Sequence, residues 1–174
     1  MFLRVIFTIL CTIIGTFLYL KIKSPKATKT YPNSVESTWA ISTYHENNLP
    51  IIMKSIEALP SESIIKQLPY LVVISWKYDG SNNNGMPDTD VNSKMIIFEE
   101  AMASAMEGTN QAMLVYSKTG NNTKEFAYYC TKQNEFMKVL NQALQHHEAY
   151  PIEINFYEDV AWVDLKKRLN ALNK

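Results

Sequence analysis

Short β-branched and aromatic runs alternate with amphipathic helical segments along this chain, and that alternation predicts an α+β fold. Three observations carry the prediction. From Tyr70 to Tyr157 the segments follow the order β-α-β-β-α-β. Clusters of Asn, Asp, Gly and Pro separate them, as turns require. A hairpin pattern precedes this block and a helical pattern comes after it. The order is ferredoxin-like: an antiparallel four-stranded sheet with two helices on one face. Right-handed crossovers make it the first topology to consider. Another α+β sandwich with the same elements shuffled is the alternative.

The first element is not part of that domain. Val5–Leu20 (VIFTILCTIIGTFLYL) is a run of 16 residues without a charge. At about 1.5 Å per residue a helix of this length spans ~24 Å, short of the roughly 30 Å hydrocarbon core. Phe2 and Leu3 extend it, and lysine stems that snorkel to the interface close the gap. Arg4 before the run would suit a cleaved signal peptide. Cleavage needs small residues, however, and Leu18, Tyr19 and Leu20 are large. A lipoprotein signal would need a small residue before Cys11, where Leu10 stands. Residues 1–20 are therefore expected to be an uncleaved transmembrane anchor, which makes the chain a single-pass membrane protein. Lys21, Lys23, Lys26 and Lys29 come next, and the positive-inside rule alone favours a cytoplasmic C-terminal domain. Short N-terminal anchors nevertheless often export the domain attached to them, which favours the periplasm, so the sidedness stays open.

Residues 21–36 mix Lys, Ser, Pro, Thr and Asn without periodicity and read as a basic linker. Residues 37–174 then form one globular domain. Trp39 to His45 sets Trp39, Ile41 and Thr43 against Ala40, Ser42 and Tyr44, the alternation of a half-buried strand. Leu49 to Ile56 pairs with it through Glu46-Asn47-Asn48, and this hairpin extends one edge of the sheet. Tyr70 to Tyr78 (YLVVISWKY) is nearly continuously apolar at its start, as a strand buried on both faces should be. A long polar loop, DGSNNNGMPDTD, leads to a helix over Val91 to Glu107. Val91, Met95, Phe98, Met102 and Ala105 make its inner face, Asp90 caps it and Gly108 stops it. Ala112 to Ser117 and Glu125 to Cys130 are strands, joined by a loop over Lys118 to Thr123. Thr131 caps a helix with Phe136, Val139, Leu140, Ala143, Leu144 and His147 on one face. Pro151 opens a last strand, Ile152 to Tyr157. Asp159 caps a terminal helix that turns Trp162, Leu165, Leu169 and Leu172 inward.

Charge bounds the function. The chain holds 17 basic and 17 acidic residues. The first 29 residues contain Arg4 and four lysines and no acid, which leaves the other 145 with 12 basic residues against 17 acidic, a net of −5. A nucleic-acid surface needs a basic patch, so nucleic acid is excluded as a partner. Cys130 is the domain's one cysteine, so no disulfide forms within it. Asn121-Asn122-Thr123 matches a glycosylation sequon, a three-residue pattern common by chance.

No constellation reaches the strength of a catalytic or metal signature. The loop Trp76 to Pro87 joins a strand to a helix N-terminus, where backbone N–H groups favour anions. It lacks the Gly-Lys-Ser/Thr ending of a phosphate loop. Asp79, Asn82, Asn84 and Asp88 resemble the start of a calcium loop, but its closing position is Asp90, shorter than the usual bidentate Glu. His146 and His147 are neighbours and point about 100° apart on a helix, so they do not chelate one ion. No metal and no cofactor is expected. Cys130 comes after Phe126, Tyr128 and Tyr129 and reads as an inert buried thiol. No Ser lies in a nucleophile elbow, and Glu99-Glu100 reads as a solvated face.

The segments LVVISWKYDGSNNNGMPDTDVN, FEEAM, VYSKTGNNTKEFAYYC and YPIEINFYEDVAW resemble a family of uncharacterised bacterial proteins catalogued as a domain of unknown function, number 695. The matching features are Trp76-x-Tyr78, Gly85-Met86-Pro87, Glu99, Thr119-Gly120-Asn121, Tyr128-Tyr129, and Tyr150-Pro151 through Glu158-Asp159 to Trp162. Val160 stands where the family usually has proline. The resemblance covers roughly residues 36–170. It implies a compact α+β domain, similar in outline to a small regulator of ribonuclease activity, and it carries over no catalytic residue.

The reading that joins these observations is a membrane-held, non-catalytic protein-binding domain, with an immunity-type protein that neutralises a toxin as its most specific form. Its partner-binding candidates are Trp76, Tyr78, Asp79, Asn82, Asn83, Asn84 and Met86 on the long loop, and Glu158, Asp159 and Trp162 at the last junction. Two others stand beside it. An envelope scaffold or sensor would act through a sheet edge. A hydrolase would use Asp79, His147 or Glu158-Asp159, and needs at least two of these groups to converge in one pocket.

Overall fold

The structure, a computed structural model, describes residues 38–172. The expected anchor, residues 1–20, and linker, 21–36, lie outside the described residues. Among the described residues, no helix is long and apolar enough to cross a membrane.

The domain is α+β, with six strands and four α-helices among the described residues. In chain order these are β1 (Trp39–Glu46), β2 (Leu49–Ile56), α1 (Glu62–Gln67), β3 (Tyr70–Lys77), α2 (Thr89–Met106), β4 (Ala112–Gly120), β5 (Thr123–Cys130), α3 (Gln133–Ala143), β6 (Ile152–Glu158) and α4 (Val163–Leu172). One antiparallel sheet runs β1-β2-β4-β5-β3-β6. The first hairpin joins the sheet through β2, with Ile51 opposite Gly120 and Ser55 opposite Tyr116.

Helices cover both faces. On one, Met95, Phe98 and Met102 of α2 and Phe136 and Leu140 of α3 close over Val72, Ile74 and Trp76 of β3 and Phe126 and Tyr128 of β5. On the other, Leu165 of α4 and the preceding Trp162 pack with Leu71, Tyr116 and Tyr129, and Ile64 and Ile65 of α1 join them. That double cover explains why β3 reads as a continuous apolar run. At Val115 the pairing of β4 and β5 slips by one residue, a bulge that sends Val115 and Tyr116 to the same core.

Several boundaries differ from expectation. Asp88, not Asp90, caps α2: its Oδ1 accepts the Val91 N–H at 2.8 Å. Asp90 lies in the first turn, where its charge suits the helix dipole. Thr131 does not cap α3: the cap position falls one residue later, on Lys132, which makes no side-chain cap, while the Thr131 N–H donates to Gln111 O at 2.9 Å. The α3 helix ends at Ala143, so His147 lies in the turn beyond it. That turn lets Tyr150 reach back to Trp76 and Phe98, with ring centroids 4.8 and 5.8 Å apart. The six-residue loop expected between β4 and β5 is a two-residue turn. Asn121 (φ 51°) and Asn122 (φ 63°) sit in the left-handed region, as do Asn47 (φ 52°) and Asn48 (φ 62°) in the first hairpin. Both turns have the positive φ pair that matches the right-handed twist of the strands they join.

Candidate functional site

The β3 strand delivers the long loop to one end of the sheet. Tyr78 continues the strand's direction and donates its N–H to Asn122 O at 3.0 Å. Its hydroxyl donates to Gly85 O at 3.1 Å, across the loop. Burial pushes that hydroxyl up to about 12, so it is a fixed donor at neutral pH. Asn122 completes the clamp: its side-chain oxygen accepts the Gly80 N–H and its own N–H donates to Gly85 O, each at 2.9 Å.

The loop is also closed on itself. Gly85 N–H meets Gly80 O and Met86 N–H meets Asn83 O, each at 2.9 Å. Asn83 Nδ2 donates to Pro87 O at 2.9 Å. Two glycines make this possible. A Cβ on Gly80 would stand 2.7 Å from Gly85 C and from Met86 O. Gly85 adopts φ +78°, and a Cβ there would press on Leu49 Cδ1 and Asn121 N at 3.1 and 3.2 Å. The β1–β2 hairpin, the β4–β5 turn and the loop are thereby interlocked.

The outward surface of this frame is polar. Asp79, Ser81, Asn82, Asn83 and Asn84 are exposed, whereas Tyr78 and Met86 are half-buried. Asp79 Oδ1 accepts the Ser81 N–H at 3.0 Å. Hydrogen bonds from the Ser81 N–H and hydroxyl hold its carboxyl below the usual range. Asn84 sits at φ 53°, in the left-handed region, and its side chain is exposed. Beside the frame lies a cleft of about 170 Å³ lined by Lys118, Gly120, Asn121, Thr123 and Glu125. Pockets for drug-sized ligands run to about 300–1,000 Å³. Lys118 is engaged with Glu46 at 2.8 Å.

The ten candidates fall into two groups at opposite ends of β3. Glu158 pairs with Tyr70 at its start, and Asp79 lies just beyond Lys77 at its end. Eight residues at about 3.3 Å each separate the groups by ~25 Å. Trp76 is only 2 % exposed, and Trp162 is 0 % exposed. Trp162 stacks on Tyr129 with centroids 3.8 Å apart and donates Nε1–H to Leu68 O at 2.9 Å. Asp159 accepts the N–H groups of Val163 and Asp164 and, through Oδ2, the Tyr129 hydroxyl at 2.7 Å. Burial alone would raise its pKa; these three hydrogen bonds outweigh that and hold the carboxyl below the usual range.

His147 Nδ1 lies 2.8 Å from the Tyr150 hydroxyl. The hydrolase candidates Asp79 and Glu158-Asp159 are thus not brought together. Burial pushes the Cys130 thiol up to about 11, so it stays protonated at neutral pH. Among the described residues, no group of three His, Cys, Asp or Glu is placed to hold a metal ion. Asn122 was not among the sequence candidates, although it organises the loop. Its one signal is the Asn-Asn pair between two strand patterns.

A protein-family model, described as a family of unknown function (DUF695), matches residues 37–166. The chain belongs to this family. The match takes in all six strands and ends within α4. No curated relative and no solved structure matches the chain.

Proposed function

We propose that this chain is a non-catalytic protein-binding domain held at a bacterial inner membrane by residues 1–20, with the Asp79–Asn84 loop as its recognition surface. One observation carries the reading. Asn122, Tyr78 and two glycines fix the loop from below while its Asn82 and Asn84 side chains face solvent unspent. Preorganised polar groups bind with little ordering cost. The separation of Asp79 from Glu158-Asp159 favours binding over a hydrolase built on that pair. A role in neutralising a toxin fits an acidic domain that meets a basic partner, and a periplasmic position suits that role.

The strand order β4-β5-β3-β6, with α2 and α3 on one face, supports a ferredoxin-like centre to which β1 and β2 are added at one edge. Such a sheet offers binding surfaces of several kinds and does not choose among them.

The test is affinity capture with the full chain from membranes of its native strain. Partners enriched by the wild type should be lost with Asn82→Ala/Asn84→Ala and kept with Glu158→Ala at the far end. Equal recovery with both variants overturns the loop as the surface. A reporter fused after Lys174 reads the side of the membrane.

A further inference from the structure

We infer that β1 is a homodimerisation edge, at which two copies of this chain pair antiparallel about a twofold axis through Ser42. The surface is separate from the Asp79–Asn84 loop, and the inference stands independently of any other partner.

Among the described residues, the sheet order leaves two edges, β1 and β6. The β6 edge is guarded: Pro151 precedes it, and Glu153 and Glu158 are exposed along it. Two β6 strands would oppose like charges. The β1 edge is less guarded: its one charged residue is Glu46 at the last position, ion-paired with Lys118 at 2.8 Å, and from Trp39 to His45 it carries no Pro, Lys, Arg, Asp or Glu.

Hydrogen-bond parity agrees with side-chain parity on β1. Thr38 O accepts the Glu57 N–H at 3.0 Å, so the even-numbered residues direct their backbone groups at β2. Trp39, Ile41, Thr43 and His45 therefore turn theirs outward, to the open edge. The same residues project side chains onto the face of α2, since Lys54, opposite Ile41, reaches Glu99 of α2 at 3.8 Å. Helices α2 and α3 do not cover this corner. Trp39 is 37 % exposed, Ile41 72 % and Ile52, opposite Thr43, 41 %. The result is a shelf of Trp39, Ile41 and Ile52 along an unpaired backbone, with Lys54 lying over the Trp39 ring at 5.0 Å.

Three observations make the occupant a second copy. A strand, unlike a bilayer, pairs the outward N–H and C=O groups while it covers the shelf. Charge is compatible with self-pairing: the register of greatest overlap sets Trp39 against His45 and Ile41 against Thr43, while Glu46 falls beside the other copy's uncharged Thr38. The third is an orphan. Ser42 Oγ is buried without a hydrogen-bond partner. In that register Ser42 faces its own copy in a non-hydrogen-bonded pair, where Cα atoms approach to about 4.5 Å, and rotation about χ1 joins the two hydroxyls. A closed, isologous pair results, with no edge left at β1.

The test uses the full chain in detergent, with Cys11→Ser to remove background crosslinking. Ser42→Cys in that chain should form a disulfide-linked dimer under mild oxidation, because the twofold axis sets the two thiols opposite each other. Asn155→Cys on β6 should stay monomeric. In sedimentation the wild type should run as a dimer at micromolar concentration. Ile41→Lys, at an exposed position that leaves the fold intact, should weaken association at least tenfold. A monomeric wild type, equal crosslinking at Asn155→Cys, or a dimer unaffected by Ile41→Lys overturns the proposal, the last by assigning association to residues 1–20.

Discussion

The two faces of the sheet are closed by different kinds of interaction. Under α2 and α3 lies a cluster of rings that touch at edges and tilts. Phe98 contacts Trp76, Phe126 and Tyr150 with centroids 6.0, 5.2 and 5.8 Å away, and Phe136 contacts Tyr128 and Phe156. Under α4 the contacts are directional. Trp162 stacks on Tyr129, bonds Leu68 O and holds a backbone φ of +55°, a region costly for a bulky residue. The first face fills volume. The second meets specific polar groups, each of which is orphaned if its partner goes. The same sheet should therefore tolerate reshaping on one side and resist it on the other.

Truncation does not separate the faces; conservative change does. Phe98→Ala and Trp162→Ala should each cost about 4 kcal/mol, the range for emptying a large aromatic site. Phe98→Leu keeps most of the volume and should cost about 1 kcal/mol. Trp162→Phe keeps the stack but strands Leu68 O in the core, for about 2 kcal/mol. Denaturant titration of the four variants measures this. If Phe98→Leu proves as costly as Trp162→Phe, the distinction between the faces fails.

The same contrast governs how much the sequence discloses. The packed face is legible, because Met95, Phe98 and Met102, or Phe136 and Leu140, recur at helical spacing, and β2 can be read from Leu49 to Ile56. Asp159 is legible too, since an acid before an apolar helix has a local reason to be there. The α1 helix is not: six residues, Glu62–Gln67, are too few to show a period. The alternation in β1 reveals two faces but not which is covered, as that depends on how far α2 reaches. The loop's polar composition is plain, yet its support, Asn122, lies more than 40 residues on, and the contact depends on the register of β3 with β5. Trp76 and Trp162 stand out in sequence as binding candidates, and the tertiary structure gives both indoles to the core.

Asp159 sharpens the comparison at a lower energy. Asp159→Asn keeps a capping oxygen but loses the charge that Tyr129 and two N–H groups stabilise, for about 1 kcal/mol at neutral pH. Its folded pKa is depressed, so its contribution is complete above the unfolded value of about 3.9 and disappears as pH falls through the folded one. The stability gap between wild type and Asp159→Asn should therefore narrow on acidification from pH 7 to pH 3. A gap that stays constant would mean that the carboxylate's charge contributes nothing to this junction.

The smallest effect belongs to the rim of the same face. Arg168 lies over the Tyr116 ring at 4.1 Å and donates Nε–H to Asp164 at 2.9 Å. These contacts are as directional as those of Trp162, but both charged side chains are partly exposed, at 27 % and 31 %. Water can replace the ion pair, and exposed pairs are worth about 0–1 kcal/mol. Arg168→Met keeps the stem over Tyr116 and should cost less than about 1 kcal/mol, with the difference shrinking further at high salt. A loss as large as that of Trp162→Phe would show that direction alone makes this face unforgiving. The expected small loss shows that direction matters there only where burial denies the orphaned partner a water molecule.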